Sequence, residues 1–115
     1  MAYIKRKLEK RIMEISKDYS CLLLIGPRQV GKTRMLQRLM KGTGRTVITL
    51  DDPDERGLAK RDPEMFLQMH PAPVLIDEVQ YAPELFSCIK TRIDNGAAPG
   101  SYWLTGTQAF HLMEL

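Results

Sequence analysis

The apolar run Leu22-Leu23-Leu24-Ile25 passes directly into Gly26-Pro27-Arg28-Gln29-Val30-Gly31-Lys32-Thr33. An unbroken apolar run of this length, bounded by glycine, reads as a short strand buried on both faces, about Cys21 to Ile25. Gly26 lets the chain leave that strand and turn sharply. Gly31 lets backbone N–H groups close around an anion with no side chain in the way. A helix expected from Gly31 to Lys41 aims its unpaired N–H groups and positive dipole end at the same point. Met35, Leu36, Leu39 and Met40 form its inward face. Arg34, Gln37, Arg38 and Lys41 face water, and Gly42-Thr43-Gly44 supplies the stop.

Gly-x-x-x-x-Gly-Lys-Thr between a strand and a helix is the phosphate-binding loop of the P-loop NTPases. At average residue usage it arises by chance in roughly one of a few hundred chains this long. The positions assigned to the nucleotide are Gly26, Pro27, Arg28, Gln29, Val30, Gly31, Lys32, Thr33 and Arg34. Lys32 is expected to reach the β- and γ-phosphates, and the Thr33 hydroxyl to take one site on Mg²⁺. The predicted strand Val74-Leu75-Ile76 then runs into Asp77-Glu78, the Walker B pattern. It carries Asp77 to the phosphate end, to hold Mg²⁺ through its water shell, and sets Glu78 to orient and deprotonate the attacking water.

The remaining elements alternate. Ile4, Leu8, Ile12 and Ile15 recur at helical spacing between Ala2 and about Lys17, with Lys5, Arg6, Lys7, Lys10 and Arg11 on the same basic helix. Thr46 to Leu50 reads as a strand. Asp52-Pro53 and Asp62-Pro63 each pair an N-cap with proline at the first helical position, predicting helices over about 53–60 and 63–69. A further helix runs from about Pro83 to Asp94, with Leu85, Phe86, Ile89 and Ile93 inward. A fourth strand covers Ser101 to Leu104, and another helix begins at Ala109. Strands alternating with helices predict one α/β domain over 1–115, a basic N-terminal helix (1–18) and a core (21–115), with a parallel sheet between helix layers. The ligand is expected beyond the carboxyl ends of the strands, where Thr105 also arrives. A glutamate beside the Walker B aspartate points to the NTPase branch that inserts a strand between the two Walker strands.

Bulk properties narrow the classes. No apolar run approaches the ~20 residues that cross a bilayer, and no apolar signal segment follows the basic start, so a cytoplasmic location without membrane contact is expected. The net charge of +3 gathers at the N-terminus, where a solvated helix face and a contact with DNA are both open readings. Cys21 and Cys88 lack metal-like spacing and read as buried free thiols. His70 and His111 have no second ligand at metal spacing.

The ordered set Tyr3-Ile4-Lys5-Arg6, Gly-Pro-Arg-Gln-Val-Gly-Lys-Thr, Leu50-Asp51-Asp52-Pro53, Ile76-Asp77-Glu78-Val79-Gln80 with Pro83-Glu84-Leu85-Phe86, and Leu104-Thr105-Gly106-Thr107-Gln108 closely resembles the N-terminal part of a prokaryotic AAA+-type ATPase family. In that family a C-terminal domain of uncharacterised function follows. The resemblance implies strand order 5-1-4-3-2, ATP rather than GTP, and Thr105 as the sensor-1 residue at a strand tip, with Thr107 and Gln108 as near alternatives. It also implies that this chain stops before the fifth strand, the helical lid and any arginine finger. The first strand is then expected at a sheet edge, open to self-association or covered by the N-terminal helix. Arg28, inside the loop, is one candidate to substitute in part for that finger, and the sequence alone does not decide it.

The leading expectation is an ATP-binding, Mg²⁺-dependent NTPase module, slow or inactive in this short form, with Lys32, Glu78 and Thr105 catalytic and Thr33 and Asp77 on the metal. A nucleotide-gated module that binds protein or DNA, with hydrolysis incidental, is the alternative. A small-molecule or nucleotide kinase fits less well, because adjacent carboxylates suit water activation and no acceptor lid is visible.

Overall fold

Alternation along each strand sorts side chains into two cores, one on either face of a four-stranded parallel sheet. The computed structural model describes residues 2–27 and 32–107, with side chains from Arg6 onward. The elements are α1 (Ala2–Asp18), β1 (Cys21–Ile25), α2 (Lys32–Leu39), β2 (Thr46–Thr49), α3 (Pro53–Arg61), α4 (Pro63–Met69), β3 (Val74–Asp77), a 3₁₀ turn (Val79–Tyr81), α5 (Glu84–Asp94) and β4 (Tyr102–Gly106). The strand order is β1-β4-β3-β2, all parallel. β4 is therefore the strand inserted between β1 and β3. The fifth strand of the expected order lies outside the described residues.

Parallel strands need crossovers, and right-handed crossovers put helices on both faces. Leu22, Leu75 and Trp103 point to one face, where Ile12 of α1 and Met35 and Leu36 of α2 cover them. Val74, Ile76, Tyr102 and Leu104 point to the other, against Ala59, Phe66, Leu67, Leu85 and Ile89 of α3, α4 and α5. The predicted caps form: Asp52 accepts from the Asp54 N–H at 2.9 Å and Asp62 from the Met65 N–H at 3.1 Å. His70 ends α4 with its Nε2 2.7 Å from the Glu55 carboxylate of α3.

Several expectations shift. The second helix ends at Leu39, and the chain turns through Gly42 at φ +80°, where a side chain would be strained. α1 packs on the sheet face rather than along the β1 edge, so β1 stands at one end of the four-strand order. Its apolar stripe is only partly used, since Leu8 is 38% exposed while Ile12 is 3% exposed. Ile93 was expected inward but is 36% exposed. It lines an apolar groove between α5 and β1 with Cys21, Leu23, Phe86 and Ile89. Cys21 and Cys88 are free and half-buried rather than buried.

The fourth strand also extends further than its apolar run. Parallel pairing with β1 continues through Leu24 with Thr105 and Ile25 with Gly106. Thr105 is therefore inside the strand and fully buried, and Thr107 is the first residue beyond it. Backbone pairing, not side-chain polarity, sets that end.

At the opposite edge of the sheet, the Trp103 Nε1 donates to Ser16 Oγ at 3.0 Å, and the Arg45 guanidinium lies 4.0 Å over the indole ring. Gly100, at φ +79°, passes so close that a Cβ there would sit 3.0 Å from Ser16 Oγ. Burial pushes the Arg45 pKa down to about 10.

Candidate active site

At the carboxyl edge of the sheet the buried Asp77 carboxylate collects three hydroxyls from three separate elements. Thr33, in the first turn of α2, donates to Oδ1 at 2.5 Å. Thr105 of β4 donates to the same oxygen at 2.7 Å, and Thr49, the last residue of β2, donates to Oδ2 at 2.9 Å. The two strand positions follow from register. Thr49 is the pairing partner of Asp77 across β2 and β3, and β4 flanks β3 on its other side. Thr49 is fixed in turn by the Asp51 N–H, which donates to its Oγ at 3.1 Å.

A carboxylate oxygen has two lone pairs. Among the described residues, Oδ1 of Asp77 accepts from Thr33 and Thr105, whereas Oδ2 accepts from Thr49 alone. A hydroxyl that donates its proton still offers lone pairs, so the Thr33 oxygen can take a hard cation while staying bonded to Asp77. The donor set therefore fits Mg²⁺, which the Thr33 hydroxyl and the Asp77 carboxylate would hold.

Lys32 is 5% exposed, and its ammonium donates to the Gly26 carbonyl at 2.5 Å and to the Pro27 carbonyl at 3.2 Å. Among the described residues, those two carbonyls take two of its three N–H donors. Gly26 is itself tied to the sheet, its N–H donating to the Gly106 carbonyl at 3.2 Å. Pro27 and Arg34 are exposed. Arg28, Gln29, Val30, Gly31 and Gln108 lie outside the described residues, as do the helix expected from Ala109 and His111 within it.

Glu78 follows Asp77 in a left-handed conformation, φ 60° and ψ 48°. A non-glycine residue there carries strain that its surroundings must hold. Its N–H donates to Thr105 Oγ at 3.0 Å, its carboxylate accepts from the Thr107 hydroxyl, and it is 4% exposed. The turn is braced from outside by Arg56, which donates to the Leu50 carbonyl at 2.9 Å and lies 3.9 Å over the Tyr81 ring.

The structure thus brings Thr33, Asp77, Glu78 and Thr105 into one hydrogen-bonded group, with Lys32 beside Thr33 in chain order. Sequence reasoning missed Thr49 altogether and held Thr107 only as an alternative. For Thr49 the available signal was a polar residue closing a β-rich run that pairs with the Walker B strand. That signal needs the strand order before it means anything.

A parallel sheet whose carboxyl edge gathers a Lys-Thr helix start and an Asp-Glu strand end defines a P-loop NTPase-like α/β protein. A family model described as an AAA domain matches residues 18–115, and the chain belongs to that family of nucleotide-binding, NTPase-type domains. Two curated relatives are uncharacterised proteins of Mycobacterium bovis and Mycobacterium tuberculosis. Each is 30% identical over 95 residues, which is 82% of this chain and 21% of the relative. The chain thus spans about a fifth of the length of these relatives. No solved structure matches the chain. Among the described residues, no helix is long and apolar enough to cross a membrane.

Proposed function

We propose that this chain is an Mg²⁺-dependent ATP-binding module, residues 1–115 acting as one nucleotide-binding unit, that hydrolyses ATP slowly to ADP and phosphate in the cytoplasm. The observation that carries the reading is the triple hydroxyl cap on Asp77, which fixes a buried carboxylate beside the Lys32-Thr33 start of α2. Lys32 and the loop backbone from Gly26 to Arg34 bind the phosphates. Thr33 and Asp77 hold the metal, which when bound neutralises phosphate charge. Glu78 accepts a proton from the attacking water. Thr105, the sensor candidate of the resemblance, gives its one proton to Asp77 and accepts from the Glu78 N–H, so its proposed part is to hold these two residues in place beside the γ-phosphate. The preference for ATP rests on family membership. The test is calorimetry with Mg-ATP together with phosphate release, on the wild type, Lys32→Ala and Glu78→Gln. Binding lost in Lys32→Ala and release lost in Glu78→Gln are expected. No binding by the folded wild type overturns the reading.

A second reading is a nucleotide-gated module in which hydrolysis is incidental and the partner is a second copy of the chain, a protein or DNA. It is favoured by the position of β1, with its half-exposed Leu23, at the end of the strand order among the described residues. Sedimentation with and without Mg-ATP tests the second-copy form. A single monomeric species in both removes it.

A further inference from the structure

Thr105 and Thr107 stand two residues apart on one strand end, and their hydroxyls meet two consecutive carboxylates. Thr105 serves Asp77. Thr107 Oγ lies 2.9 Å from Oε1 of Glu78 and 2.9 Å from Oε2. We propose that Thr107 aims the Glu78 carboxylate and is a positioning residue for the hydrolysis proposed above, on which this inference rests.

A glutamate side chain has three rotatable bonds and no fixed aim of its own. Here its backbone end is set by the left-handed turn and by the N–H bond to Thr105. Its carboxylate end is set by one hydroxyl equidistant from both oxygens, so the single proton is shared across the carboxylate. The contact from Gln80 is longer, its Nε2 lying 3.5 Å from Oε2. Threonine suits the task because its branched Cβ restricts χ1, and a stiff post holds a flexible arm better than another flexible arm. The post itself is anchored, since Gly106 before it pairs with Ile25 at the foot of the phosphate loop. The same pairing therefore registers loop and base against each other. Thr105 cannot do this work. Its proton goes to Asp77, and it meets Glu78 only at the backbone.

The experiment compares wild type, Thr107→Val and Thr107→Ser for Mg-ATP affinity, steady-state phosphate release, and the side-chain carboxyl resonance of Glu78. That resonance is read by NMR on chain labelled with ¹³C at glutamate Cδ and assigned by its loss in Glu78→Gln. Thr107→Val is expected to lower kcat by about 10- to 100-fold, the usual cost of misplacing a reacting group, with affinity and KM within about twofold. Its Glu78 resonance moves, and Thr107→Ser restores both. An unmoved resonance in Thr107→Val overturns the contact, and a moved resonance with wild-type kcat overturns the positioning role. Wild-type chain whose phosphate release is absent or insensitive to Glu78→Gln sinks the hydrolysis reading instead, and this role with it.

Discussion

The Thr49 hydroxyl donates to Asp77 Oδ2 at 2.9 Å across the β2–β3 pair, linking residues 28 apart in the chain. On the proposed Mg²⁺ reading, this bond sets how the Asp77 carboxylate faces the metal's water shell. In Thr49→Val that oxygen loses its fixed donor and the carboxylate is free to rotate. The expected outcome is Mg-ATP affinity weakened by about 10- to 150-fold, the factor that one lost hydrogen bond to a charged group carries, with affinity for metal-free ATP little changed. Calorimetry in Mg²⁺ and in chelator checks it. Equal losses in both conditions would place Thr49 outside the metal site.

Thr105 has no exposure to water and spans two elements: it donates to Asp77 and accepts from the Glu78 N–H. Thr105→Val keeps the shape but strands a buried N–H and removes a donor from a buried carboxylate. The cost is expected at about 2–4 kcal/mol, while Thr105→Ser costs under about 1. Urea unfolding of both variants measures the difference. Similar midpoints for the two would mean the hydroxyl is not shared as described.

Trp103 is the one tryptophan of the chain, and it is buried where α1 meets the sheet. Its fluorescence therefore reports α1 docking. Ile12→Ala removes a nearly fully buried side chain from that contact and is expected to destabilise by about 2–4 kcal/mol. The emission of Trp103 should move to the red earlier in a denaturant titration than in the wild type. Unchanged fluorescence and stability would show that α1 contributes little to this core.

Burial pushes the Cys21 thiol up to about 11 from its ordinary 9.0. The folded state therefore favours the neutral thiol. Its contribution is fully present below pH 9 and is lost as pH rises through 11, with an upper bound of about 2–3 kcal/mol. Cys21→Ala should flatten the fall in stability above pH 9. Alkylation of Cys21 at pH 8 should also be slow beside an unfolded control. Rapid alkylation of the native chain would contradict the burial.

What the sequence determined was whatever a few neighbouring residues decide among themselves. Asp52-Pro53 and Asp62-Pro63 started helices because cap and ring act within one turn. Asp77-Glu78 could be read because the apolar run before it had to be a buried strand. The family, and with it the expectation of a nucleotide, followed from Gly26 to Thr33. Tertiary structure decided what depends on register. Threonines at 49, 105 and 107 carry no periodic signal, and parallel pairing of β2, β3 and β4 brings the first two to Asp77 and the third to Glu78, opposite the Thr33 that the loop motif had already marked. The true end of β4 and the exposure of Leu8 and Ile93 belong to the same class. Hydroxyls are short, so they act only where the crossovers have already brought strand ends within about 3 Å, a distance that no local pattern encodes.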